Sequence, residues 1–159
     1  MLRYQRQAPL LRILGMTVLG LVRARRGDPG QWAPLDEALA AAESSDELQL
    51  VAPVATARAE ASWLEGRHAA VAEETEFGFD LARRRGVGWV SGELALWRRR
   101  GGLAETPPAE LAAPYALALA GASADAAAWW EAAGCPYDAA LALGDTTDPA
   151  SLQRSHEQL

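Results

Sequence analysis

The sequence predicts an all-α helical-repeat fold, and three observations carry this. Alanine, the best helix former and a side chain of little bulk, occurs 35 times in 159 residues, which favours closely packed helices over sheets. β-Branched residues are scarce and scattered, and no stretch alternates apolar and polar side chains between turn signals as a half-buried strand would. Gly and Pro punctuate the chain at helical lengths.

The elements follow from that punctuation. A first helix is predicted over about Pro9 to Arg26, ended by the breaker cluster Gly27-Asp28-Pro29-Gly30. A second runs from about Trp32 to Glu43, with Pro34 in its first turn. Ser44, Ser45 and Asp46 form the next joint, and one of them is expected as an N-cap. A third helix covers about 48–65, with Pro53 near its start, and stops at Gly66; a fourth runs from about Arg67 to Arg85 and stops at Gly86. A fifth covers about 89–100 and ends at Gly101-Gly102, before the loop 103–108. A sixth lies within 109–120, with Pro114 opening or kinking it. Ser123 is expected to cap a seventh over about 124–133, ending at Gly134. Pro136 sits at the first position of a short eighth that ends at Gly144, and Asp148-Pro149 starts a last helix over 148–159.

Two patterns recur. Arg25-Arg26-Gly27, Arg84-Arg85-Gly86 and Arg99-Arg100-Gly101 stand at helix ends, where Arg satisfies loose carbonyls and Gly adopts the left-handed conformation. Gly27, Gly66, Gly101 and Gly121 each fall between a helix and its successor, at spacings of 39, 35 and 20 residues; two of these are close to the 34-residue helix-turn-helix period. Leu19-Gly20, Gly27-Asp28 and Ala38-Leu39 follow the tetratricopeptide pattern with one residue adjusted, although Arg23 and Arg58 occupy places where it expects apolar side chains. The expectation is a tetratricopeptide-like right-handed α-solenoid of antiparallel pairs, eight or nine helices in one domain over 1–159. The pairs fall at about 9–43, 48–85, 89–120 and 123–144.

Composition excludes several functions. The net charge of −6 disfavours nucleic acid, because phosphate binding needs a dense basic face. The charge is uneven: residues 1–30 carry six Arg against Asp28, whereas 31–99 sum to −5 and 100–159 to −6. There is no lysine, so neither a P-loop lysine nor a Schiff-base amine exists. Cys135 is the only cysteine, which rules out an internal disulfide and fits a reducing cytoplasm. The apolar run 10–22 is too short to span a bilayer, is interrupted by Arg12 and lacks a cleavage site, so no membrane partner is expected.

Four segments, 19–28 (LGLVRARRGD), 57–66 (ARAEASWLEG), 92–100 (GELALWRRR) and above all 128–143 (AWWEAAGCPYDAALAL), resemble the helical-repeat region of large ATP-binding LuxR-type bacterial transcriptional regulators. The resemblance implies a regulatory scaffold, cut from a larger regulator or encoded alone, lying between an ATPase module and a C-terminal helix-turn-helix. The family's G-x-x-x-x-G-K-[ST] is absent, so its nucleotide-binding residues have no counterpart, and its DNA-reading residues have none either.

Few residues suggest chemistry. His68 and His156 are far apart and Cys135 has no nearby metal-ligand partner; it suits a turn-filling small hydrophobe. Glu73, Glu74 and Glu76 read as a solvated helix face. The six Trp residues fill gaps between thin Ala-rich helices, and Trp129 and Trp130, pointing about 100° apart, cannot both face one neighbour. No catalytic, cofactor or metal site is expected. The leading reading is a non-enzymatic interaction or regulatory domain that binds a protein or a neighbouring domain. A free-standing adaptor and, less well supported, a small α-helical enzyme are the alternatives. The groove of the odd-numbered helices is expected to present Arg25, Glu60, Trp63, Arg98 and Arg99 to the partner. The apolar residues from Leu10 to Val22 cover more than one face of the first helix, so self-association through the first helix pair is expected as well.

The purified chain should bind duplex DNA no better than a generic acidic protein and give no saturable heat with ATP. A salt-sensitive, sub-micromolar DNA affinity by fluorescence anisotropy, or a calorimetric ATP isotherm, would contradict this reading.

Overall fold

The computed structural model describes residues 2–158, with side chains from Leu10 to Glu157; Leu159, expected in the last helix, lies outside them. Among the described residues the chain is all-helical and has no strand. Its elements are α1 (Leu2–Arg26), α2 (Trp32–Glu43), α3 (Leu48–Leu64), a 3-10 turn (His68–Ala70), α4 (Val71–Arg85), α5 (Gly88–Arg100), α6 (Ala113–Leu119), α7 (Ser123–Ala132), α8 (Pro136–Gly144) and α9 (Pro149–Gln158). The chain divides into two compact units, residues 1–105 and 106–159. The first holds α1 to α5 and the second α6 to α9, so the helices expected as one pair over 89–120 fall one in each unit.

Local chemistry sets most of the boundaries. Gly27, Gly66, Gly86, Gly121 and Gly134 adopt positive φ, where L side chains are strained and glycine is not. Behind Gly66, for example, the Arg67 N–H donates to the Ser62 carbonyl at 2.8 Å and the Gly66 N–H to that of Trp63 at 2.9 Å, the paired bonds that close a helix C-terminus. α5 departs from the expected register by one residue: Gly101 remains helical at φ −72 and Gly102, at φ 90, takes the left-handed place. Gly101 has a different role. A Cβ there would lie 2.8 Å from Val71 Cβ and 3.0 Å from the His68 carbonyl oxygen, so its small size lets the end of α5 approach the start of α4.

Asp148 caps α9 as expected, its carboxylate accepting the Ser151 N–H at 2.9 Å. A hydrogen bond from the Ser151 side chain, joined by the Ser151 and Ala150 backbone N–H groups, holds the Asp148 pKa below its ordinary value. The other two expected caps are corrected. α3 is preceded by Glu47 with no side-chain cap, and Ser44 and Ser45 instead donate to the Ala41 and Ala42 carbonyls at the end of α2. Ser123 is the first residue of α7 rather than its cap. Ser45 Oγ also accepts the Glu47 N–H at 3.2 Å, one residue short of the first turn of α3, so it supports the joint without capping that helix.

In the first unit α3 is the hub, packing on α1, α2, α4 and α5. Twelve of its seventeen residues are buried, and it tolerates this because Ala52, Ala55, Ala57, Ala59 and Ala61 let neighbours close in on several sides. Ile13, Ala38, Ala42, Leu50, Val54 and Leu81 form one core cluster around it, and Leu35, Ala57 and Ala61 form another against Leu21, Ala24 and Trp32. In the second unit successive helices pack in order around Ala126, Ala127, Ala139, Ala140 and Leu143. Tyr115 meets Trp130 edge-on at 5.7 Å, and Ser155 Oγ donates to the Ala140 carbonyl at 2.7 Å. No described helix is long and apolar enough to cross a membrane.

The two α1 glycines should respond oppositely to alanine. A Cβ at Gly20 would fall 2.5 Å from Leu35 Cγ, whereas one at Gly15 meets nothing within 4 Å. Gly20→Ala should cost about 1–2 kcal/mol, overpacking outweighing the propensity gain. Gly15→Ala should add about 0.5–1 kcal/mol. Urea denaturation followed by tryptophan fluorescence reads both, and equal signs would contradict the packing described.

Candidate functional site

The five residues expected to meet a partner separate into distinct environments. Arg25 of α1 and Glu60 of α3 come together in a two-pronged ion pair, Arg25 Nε donating to Glu60 Oε1 at 2.6 Å and Nη2 to Oε2 at 2.9 Å. Glu60 is buried, at 2% exposure, while the Arg25 side chain remains 38% exposed, so the pair joins α1 to α3 at the edge of the solvent. Trp63 is half-buried and meets Trp97 of α5 edge-on at 6.0 Å and His68 at 6.2 Å. Arg99 is half-buried on the last turn of α5 and is engaged.

Arg98, expected beside them, turns inward and is 5% exposed. Its Nη1 donates to Thr75 Oγ1 at 2.9 Å and to the Ala72 carbonyl at 3.1 Å, both on α4. Its Nε and Nη2 grip Glu105 at 2.8 and 2.6 Å, and its guanidinium lies over the Phe79 ring at 4.9 Å. A position in the last turn of a helix looks solvent-facing from local sequence, but α4 packs against it. The hydrogen bonds from Arg98 lower the Glu105 pKa, against a smaller opposing effect of burial. A carboxylate so depressed stabilises the fold above its ordinary value of 4.5, and that contribution fades as the pH falls through the folded-state value.

Arg58 stands where an apolar side chain was expected, and the structure supplies it with buried partners. It is buried on α3 at 8% exposure, donates through Nη1 to Asp36 of α2 at 2.7 Å and through Nε to Glu74 of α4, and lies 5.1 Å from the Trp32 ring centre. Burial alone would lower its pKa, but the bonds to Glu74 and Asp36 outweigh it and the net shift is upward. One guanidinium thus joins three helices. Glu74, read from sequence as part of a solvated acidic face, is one of its partners; Glu73 does remain exposed.

Sequence reasoning missed a second grouping, at the joint between α3 and α4. Glu65 accepts from Trp32 Nε1 at 3.0 Å, from Arg67 Nε at 2.8 Å and from Gln31 Nε2. Burial raises its pKa, but the bonds from Arg67 and Trp32 prevail and it is held low. Arg67 lies 4.4 Å from the Trp32 ring centre. Nearby on α5, Arg100 lies 4.7 Å from the Trp97 ring centre. The signal available in sequence was the recurrence of Trp near Arg at helix ends, though nothing local says which Arg meets which ring.

Tryptophan and arginine at a helix-layer edge are the side chains that dominate protein recognition. Among the described residues no group of three or more His, Cys, Asp or Glu is placed to hold a metal ion. Comparison with protein-family models, curated proteins and solved structures finds no match.

Arg58→Ala should cost about 3 kcal/mol, because it strands Glu74, whose side chain is only 13% exposed. The double variant Arg58→Met/Glu74→Met should recover most of that loss, since Asp36 is well hydrated at 63% exposure. Thermal and urea melts check both, and a near-neutral Arg58→Ala would remove the three-helix clasp from the account.

Proposed function

We propose that this chain is a non-enzymatic helical-repeat interaction and regulatory domain of the tetratricopeptide-like kind, a right-handed α-solenoid of antiparallel helix pairs that binds a protein or a neighbouring domain. The observation that supports this reading is the order of packing within residues 1–105. Each helix packs on its successor, and the odd helices also pack on one another, α1 on α3 and α3 on α5. Stacked helix pairs generate that alternation, and the layer made by the first helix of each pair is where such arrays bind their partners. The left-handed glycines closing α1, α3 and α5 are Gly27, Gly66 and Gly102, 39 and 36 residues apart, which is a repeat-like spacing.

The partner surface of this reading is the odd-helix layer, with Trp63 and Arg99 as its contacts and the Arg25–Glu60 pair as a rigid base beside them. Arg98 belongs to the support beneath it. The resemblance to LuxR-type regulators fits a scaffold placed between an ATPase and a DNA-binding module, acting in the cytoplasm through protein contacts rather than on DNA.

Photoreactive amino acids placed singly at positions 63, 99, 73 and 80 test this in cells of the source organism. The first two positions lie on odd helices; Glu73 and Asp80 are exposed on α4. The same partner protein should be trapped from 63 and 99 and not from 73 and 80. Trapping only from 73 and 80, or substrate turnover by the purified chain, would refute the proposal.

A further inference from the structure

We propose that the Nε–Nη2 edge of Arg98 is a carboxylate-binding site, filled in this chain by its own Glu105 and open to an acidic segment of a partner that displaces it. The inference rests on the reading of the chain as a protein-binding domain and adds the chemistry of the partner. Arg98 stands next to Arg99, which that reading places at the partner surface.

The site is built without Glu105. Arg98 Nη1 donates to Thr75 Oγ1, to the Ala72 carbonyl and, at 3.3 Å, to Glu76 Oε2, all on α4. The guanidinium lies over the Phe79 ring, also on α4. These contacts hold it in one plane and leave Nε and Nη2 for Glu105, which accepts from both. A planar fork fixed in this way matches the two oxygens of one carboxylate. Arg83 of α4, whose guanidinium is 5.6 Å from the Phe79 ring centre, adds a second attraction for the anion.

What distinguishes this pair is where the acid comes from. Glu60 and Glu74, the partners of Arg25 and Arg58, lie on helices with side chains only 3% and 13% exposed. Glu105 lies outside any helix, on a segment exposed over residues 104–107, and its side chain is 40% exposed. Because Arg98 is buried, an empty fork is costly, whereas exchanging one carboxylate for another is not. Glu105 therefore acts as a tethered competitor. A short tether gives it an effective concentration on the order of millimolar. A lone carboxylate does not overcome that, but a segment with several acidic side chains does, by meeting Arg83 as well.

Fluorescence anisotropy of a labelled hexaglutamate peptide with the purified full chain tests this. Glu105→Gln should bind the peptide about tenfold or more tightly than the wild type. Glu110→Gln removes the same charge from an exposed position on the same segment and should leave the affinity unchanged. Adding Arg98→Met to Glu105→Gln should abolish the gain. That double variant should keep its helices, because Thr75 retains the Val71 carbonyl and Glu76 stays hydrated; circular dichroism checks it. A Glu105→Gln chain that binds no more tightly than Glu110→Gln, or a gain that survives Arg98→Met, overturns the proposal. Trapping from positions 63 and 99 reports on the odd-helix surface and this titration on the fork, so either can fail without the other.

Discussion

The first unit depends on enclosing α3 on most of its circumference. A helix packed on four others has almost no side on which a polar group can reach water, and an unpaired buried charge costs several kcal/mol. α3 nevertheless carries Arg58 and Glu60 in its buried span. Each is tolerated because a neighbouring helix supplies the opposite charge: Glu60 takes Arg25 from α1, and Arg58 takes Asp36 from α2 and Glu74 from α4. The hub is thus tied to three neighbours by charge and to all four by apolar contact. The apolar contact is nonspecific in register, since alanine on alanine permits sliding. The paired charges are not, because a guanidinium one turn out of place would lose its carboxylate while staying out of water.

The same device recurs at α5. Arg98 binds back to α4 through Thr75 and the Ala72 carbonyl and forward to Glu105, so it joins two helices and anchors the loop that leaves the unit. The chain has no lysine, and these sites show what arginine contributes. Its planar fork makes two directed bonds to one carboxylate, as at Glu60 and Glu105, or divides them between two, as Arg58 does, while its face stacks on a ring. A lysine in any of these places would supply a charge without the geometry. Small residues complete the arrangement. Gly20 and Gly101 sit where another helix comes within a side chain's width, and their cost in helix propensity is offset by the packing that closeness allows.

These constraints bear on the proposed activity. A recognition surface works best when its anchors are held before the partner arrives. Trp63 is braced by Trp97 and His68, and the Arg25–Glu60 pair is locked by two hydrogen bonds, so the odd-helix layer is preorganised. The outer face of α1 differs in kind, exposing Leu11, Val18 and Val22.

Much of the helical plan was legible in the sequence because it is decided within a few residues. Gly27, Gly66, Gly86 and Gly134 end helices because only glycine adopts the left-handed backbone there without strain; Pro136, Pro149 and the Asp148 cap open them for equally local reasons. The α2 bounds, Trp32 to Glu43, follow from such signals. The failures also have local causes, competing ones: Ser44 and Ser45 could serve the helix before or after them, and of Gly101 and Gly102 either could have taken the left-handed turn. What only the tertiary structure decided is the fate of each long polar side chain. Arg98 and Arg99 are adjacent and chemically identical, yet one is a buried clasp and the other lies at the surface edge. The difference is which side of α5 α4 crosses, and the partners that settle it are 22 to 26 residues away in the chain. Backbone conformation is chosen by neighbours in sequence, whereas the pairing of a buried charge is chosen by neighbours in space.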